Sequence, residues 1–224
     1  MLEKLNTIEN YRHILLQTDS RTFANASALY SYFLQLHKKV SLYTTEPLAK
    51  NLSYLAWYEK CRETPNTSAE VVIEVSEDVE VLYSFFKKQE TKINVKMATA
   101  LYSGLYISSE AFQSEECNGT TFALASELIA SGAEYLKVRE AILFRDSLAL
   151  VRLKAKLFDG LLLTENARHA KLFLEEKDLL RTGANYEDAF IVMKEALKIV
   201  HVQEVTLYDA QTKKIINNIQ GNKI

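Results

Sequence analysis

Three stretches of this 224-residue chain carry side chains able to bind ions or move protons. Asp19 and Arg21 put a carboxylate and a guanidinium in a polar loop just after the apolar run His13–Thr18. If that run is a strand of a parallel sheet, the loop lies at its carboxyl end, where open α/β sheets place ligands. Ser108, Glu110, Glu115 and Glu116 crowd a second polar segment, and carboxylates suit hard cations. Asp19 and Glu110 are therefore the candidates for a metal, although acidic loops of this kind are more often simply solvated. Asn118-Gly-Thr120-Thr121 leads into a helix whose first N–H groups favour an anion such as phosphate. The plainer reading there is a threonine cap.

Other catalytic patterns are missing. His13, His37, His169 and His201 fall on different elements without metal-ligand spacing, and there is no Gly-rich phosphate loop and no CxxC pair. Cys61 and Cys117 read as free thiols with no catalytic role. Hydrophobic residues make up 48% and charged residues 25%, ordinary for a soluble globular chain, and a net charge of −2 gives no global basic field to attract nucleic acid. No apolar run reaches the length needed to span a bilayer, and the opening MLEKLNTIENYRH is amphipathic rather than signal-like. The expected location is cytoplasmic, without membrane insertion.

The elements that position these residues follow from local pattern. Leu2–Asn10 predicts a short helix, His13–Thr18 a buried strand, about Ala24–Leu36 a helix, and Lys39–Thr44 a second strand, which together make one βαβ unit. Pro47 opens an expected third helix carrying Leu48, Leu52, Leu55 and a core Trp57, and a loop spans Arg62–Ser68. Val71–Val75 is a further strand, and Ser76 is the expected N-cap of the helix Val79–Lys88. An apolar helix on Met97, Ala98, Ala100, Leu101 and Leu105 runs into the polar segment. The helix after that segment stops at Gly132, which tolerates a left-handed turn. Leu148–Phe158 is amphipathic. Beyond Gly160 come a strand pair, two helices separated by Gly183, and a last hairpin around Asp209. The fold class expected is α/β, with a doubly wound, mainly parallel sheet in residues 1–158 and a small α+β domain in 159–224.

Ser76–Gly104, whose most specific part is Ala98-Thr-Ala-Leu-Tyr-Ser-Gly104, is one of four stretches that resemble bacterial DHH phosphoesterases of the oligoribonuclease and pAp-phosphatase type. The others are His13–Leu42, the Thr121–Ala133 helix, and Lys177–Asn185 with the elements after it. The resemblance implies a shortened DHH-like domain followed by a truncated DHH-associated-like domain. It also implies two divalent ions, typically manganese, bound by acids and histidines. The sequence departs from the family at those ligands. Arg21 falls where a second Asp belongs and would repel a metal, no Asp-His-His occurs, Ser108 replaces the Asp of the TDT loop, and the GGGH loop is missing.

The expected function is accordingly non-catalytic: a pseudoenzyme-like binding or scaffold module working through protein–protein association, with no cofactor. Relatives pair through their DHH domains, so the resemblance implies a protein partner or a homo-oligomer. One alternative is a manganese-dependent phosphoesterase of nucleotides or short oligonucleotides, with a site rebuilt around Asp19 and Glu110. Another is a metal-free nucleotide or single-strand binder. Arg21, Arg139, Arg145, Lys154 and Lys156 would line its groove, Tyr106 or Phe112 would stack on bases, and Asn118, Thr120 and Thr121 would hold phosphate.

Overall fold

The computed structural model describes residues 1–143 and 146–221, and the chain divides into two compact units, Met1–Arg145 and Asp146–Ile224. In the first unit, α1 (Leu2–Asn6) precedes β1 (His13–Thr18), α2 (Phe23–Gln35) and β2 (Lys39–Thr44). Next come β3 (Cys61–Arg62), β4 (Val71–Glu74), α3 (Val79–Lys88), α4 (Val95–Ser108), α5 (Gly119–Ala130) and α6 (Tyr135–Leu143). The strands form one parallel sheet in the order β3-β2-β1-β4. Ile14, Leu15 and Leu16 of β1 are all buried, so both faces of this central strand are covered, as a parallel sheet requires. The expected doubly wound α/β architecture is what the chain adopts.

α4 is the hub of this unit. Every residue from Met97 to Tyr106 is buried, and a helix that is apolar all round belongs inside a core. α2 packs beside it, with Phe23, Ala24, Ala26, Ala28, Leu29 and Phe33 fully buried. Asn94 caps α4 by accepting from Met97 N at 3.1 Å.

Local pattern misleads in three places. The helix expected after Pro47 is replaced by two 3-10 turns, Lys50–Leu52 and Tyr58–Lys60. Carbonyls that a helix would use internally are taken by tertiary donors: Ser27 Oγ donates to Ala56 O at 2.8 Å and Tyr58 Oη to Leu48 O at 3.0 Å. Trp57, with φ 72°, breaks the right-handed path between the turns, and the short β3 takes in Cys61 and Arg62, so the expected loop begins one residue later, at Glu63. At α3 the cap is Asp78, which accepts from Val81 N at 2.9 Å, while the expected cap Ser76 only supports Asp78 N. α4 continues through Ser108, so Ser108 is the last helical residue rather than part of the polar segment after it.

The second unit comprises α7 (Leu148–Asp159), β5 (Leu162–Thr164), β6 (His169–Leu174), α8 (Glu176–Thr182), α9 (Tyr186–Ala196), β7 (Glu204–Asp209) and β8 (Ile215–Gln220). Its sheet runs β5-β6-β7-β8, with a parallel central pair and antiparallel edges, which is the expected small α+β arrangement. Leu150, Leu153 and Leu157 of α7 are buried with Leu172, Val192, Met193, Val205 and Leu207. The helix assigned by sequence to residues 1–158 therefore belongs to this core, and the division falls at 145/146 rather than 158/159. An amphipathic stripe announces that a helix packs, but not which core receives it.

Candidate functional site

β1 and β4 are adjacent and parallel, so the loops after Thr18 and Glu74 leave the sheet at the same edge. Asp19 Oδ1 accepts from Arg21 N at 2.9 Å, Thr22 N at 2.9 Å and Thr22 Oγ1 at 3.0 Å, which closes the turn into α2. Its other oxygen, Oδ2, faces Arg21 Nη2 at 3.9 Å, and Arg21 Nε stands 3.4 Å from Glu77 Oε1. Arg21 thus bridges a carboxylate from the β1 loop and one from the β4 loop. These side chains are 73%, 48% and 51% exposed, so the pairs add little stability. Their significance is positional, because a guanidinium already stands between the two carboxylates.

Partial burial pushes the Asp19 pKa up, but the Thr22 N–H and hydroxyl, the Arg21 N–H and the Arg21 charge outweigh it. The carboxyl therefore titrates below its ordinary 3.8. A depressed carboxylate pKa stabilises the fold above the ordinary value and loses that contribution as pH falls through the folded-state value. Asp19→Asn is thus expected to be less stable than the native chain at neutral pH, with the gap closing once pH drops below about 3.8. Urea midpoints followed from neutral pH into the acid range would show this, and a gap independent of pH would refute it.

Beside Glu77 a cleft of about 380 Å³ opens, lined by Asp78, Glu80, Ser108, Glu116 and Thr121 among others. Ser108 ends α4, and its hydroxyl donates to Leu105 O at 3.2 Å. Asn118 Oδ1 accepts from Thr120 N at 2.8 Å and Thr121 N at 3.3 Å, while Thr121 Oγ1 accepts from Asn118 N at 3.4 Å. The α5 cap is therefore Asn118 in a reciprocal box with Thr121, rather than a threonine alone. Glu110 opens a left-handed turn continued by Ala111 and Phe112, with φ of 48°, 59° and 63°.

Among the described residues no three His, Cys, Asp or Glu side chains converge in a way that could hold a metal ion, so Asp19 and Glu110 belong to no such set. The donors present do not fit a two-metal centre, which needs several carboxylates or imidazoles around each ion. His13 is buried at the start of β1, its Nδ1 3.1 Å from Ser68 O and its Nε2 2.9 Å from Ser41 Oγ. His169 in the second unit bonds Thr206 Oγ1 at 2.8 Å. Both imidazoles serve the sheets that carry them.

The structure brings Arg21 together with Asp19 and Glu77, and places Ser108 and Thr121 on one cleft with Glu77. Arg139 lies on α6, where its charge reaches Tyr102 and Tyr106. Tyr106 is buried, with the Phe112 ring edge-on at 5.4 Å. Lys154 belongs to the second unit, paired with Asp146 at 3.0 Å and Glu195 at 2.7 Å; Lys156 lies on the same helix, and Arg145 lies outside the described residues. Sequence reasoning missed Glu77. Its signal was the acid pair Glu77-Asp78 that follows Ser76 just after the β4 run.

An open parallel sheet with a cleft at its carboxyl edge, followed by a small mixed-sheet unit, is the class this architecture defines. In a comparison with solved structures, it is similar to the crystal structure of an exopolyphosphatase-related protein from Bacteroides fragilis. The TM-score is 0.76 at 12% identity, over 95% of this chain and 80% of that one. At that identity the likeness establishes a shared fold. No family model and no curated protein matches the sequence. Among the described residues no helix is long and apolar enough to cross a membrane.

Proposed function

We propose that this chain is a non-hydrolytic protein on a phosphoesterase-like fold, acting as a binding or scaffold module through protein–protein association. The observation that carries the reading is Arg21 held between Asp19 and Glu77 at the carboxyl edge of the sheet, at 3.9 and 3.4 Å. A bound divalent cation at this edge would have to displace that guanidinium or share carboxylates with it, against charge repulsion. The Ser108 hydroxyl and the Asn118 cap are engaged with backbone rather than free to bind an ion. Exposed apolar side chains support association: Phe122 and Ile129 on α5, and Leu136 and Leu143 on α6.

The expected result with manganese is no turnover of short oligoribonucleotides, pAp, a generic phosphodiester or inorganic polyphosphate, together with no divalent-cation binding by calorimetry. Polyphosphate is included because the similar solved protein is described as exopolyphosphatase-related. Metal-dependent hydrolysis that disappears in Asp19→Ala, with the fold intact by circular dichroism, would replace this reading with that of an active phosphoesterase. The open acidic cleft beside Glu77 is the feature that favours that second reading.

A further inference from the structure

At the other end of α2 from Arg21, roughly 20 Å along a helix of this length, a second cavity of about 540 Å³ is bordered by Leu34, Gln35, Val95, Lys96 and Trp57. That volume is in the range of small-molecule sites. Trp57 is held there in an unfavourable conformation. Its φ of 72° lies in the left-handed region, which residues with a Cβ seldom adopt. The indole is also fixed in place, since its Nε1 donates to Ser31 Oγ at 2.9 Å and the Tyr30 ring stacks on it at 4.7 Å and 29°. The Lys96 ammonium also stands over the Trp57 ring, 4.7 Å from its centroid.

Lys96 is the charged residue in the lining of this cavity, and no carboxylate is among the residues that border it. Leu34 and Val95 offer exposed apolar walls, at 40% and 51%. An anchored indole, two aliphatic walls and one exposed cation are complementary to a flat, apolar body carrying a negative group. In the free chain the Lys96 ammonium occupies the indole face through a cation–π contact, which is weak at an exposed position. A stacking ligand would displace it and offer an ion pair in exchange.

We infer that this cavity is a binding site for a small planar aromatic anion, its ring lying on Trp57 and its negative group paired with Lys96. The inference does not depend on what the cleft at the opposite end of α2 does.

Trp57 is the only tryptophan in the chain, so emission excited selectively from tryptophan, and not from the twelve tyrosines, comes from the indole at this cavity. The probe is 8-anilinonaphthalene-1-sulfonate, compared with N-phenyl-1-naphthylamine, which keeps the rings and lacks the sulfonate. The expected result on the full chain is saturable quenching of Trp57 by the sulfonate, with affinity about tenfold lower in Lys96→Gln, the order of one charge-assisted bond. The neutral compound should bind native and Lys96→Gln chains alike. Lys96 is exposed on the first turn of α4, so the substitution leaves the core untouched. Sulfonate binding that leaves Trp57 emission unchanged, that is equal in Lys96→Gln, or that never saturates would overturn the inference.

Discussion

Gly104→Ala is expected to cost about 2–3 kcal/mol of stability, the upper part of the range for overpacking a core. A Cβ built at Gly104 would stand 2.6 Å from Asn25 Oδ1 and 2.9 Å from Val79 Cγ2, with Ala24 Cβ at 3.6 Å. None of these neighbours can yield freely. Asn25 is 1% exposed and anchored through Nδ2 to Ser76 O at 2.8 Å, and Val79 is the buried first residue of α3. Asn25 Oδ1 has no hydrogen-bond partner among the described residues. Chemical denaturation of the single variants and of Gly104→Ala/Asn25→Ala would test the account, because neighbours in contact should be strongly non-additive. An additive pair, or a Gly104→Ala chain as stable as the native one, would remove close α2–α4 approach as the reason for the glycine.

This prediction changes the meaning of the segment Ala98–Gly104, which gave the most specific family resemblance in the sequence. Every residue in it is buried, and Ser103 Oγ accepts from Tyr54 Oη at 2.9 Å while donating to Thr99 O at 2.7 Å. Desolvation pushes the Tyr54 phenol up to about 12, against the opposing hydrogen bond to Ser103. The motif is therefore accounted for by helix packing, with small residues where α2 approaches and the Ser103 hydroxyl where Tyr54 reaches in.

Phe86→Ala is expected to cost more, about 3–5 kcal/mol, as large aromatic truncations do when the surrounding core cannot collapse. Phe86 is fully buried, with its ring 5.2 Å from Tyr32 and 5.8 Å from Phe85. It anchors the C-terminal half of α3 on α2, and the N-terminal end of that helix carries Asp78 and follows Glu77 at the cleft. Loss of the ring should therefore loosen the Arg21–Glu77 bridge as well as the core. The checks are a urea midpoint and the proton-exchange rate at the first amides of α3. A variant within about 1 kcal/mol of the native chain would show that Tyr32 and Phe85 refill the space, contrary to the close packing expected of protein interiors.

Reading the sequence alone was enough for elements whose signal is local. The apolar run His13–Leu16 became the central strand of a parallel sheet because burial on both faces needs uninterrupted apolar residues, and the β-branched Val71–Val-Ile73 became the edge strand beside it, with Ile73 buried and Val72 exposed. Gly132 and Gly183 end their segments at φ 92° and 75°, as residues without a Cβ can.

Tertiary structure alone decided where partners came from. Residues 47–60 abandon a helical pattern because Ser27 and Tyr58 claim the Ala56 and Leu48 carbonyls, and α7 joins the second core although its stripe would suit either. Arg21 meets Glu77 only because β1 and β4 pair, across more than fifty residues of intervening chain. Periodicity and capping act over a few residues, so they fix what an element is. Which groups face one another is set by the burial of distant surfaces, and no short stretch of sequence contains that information.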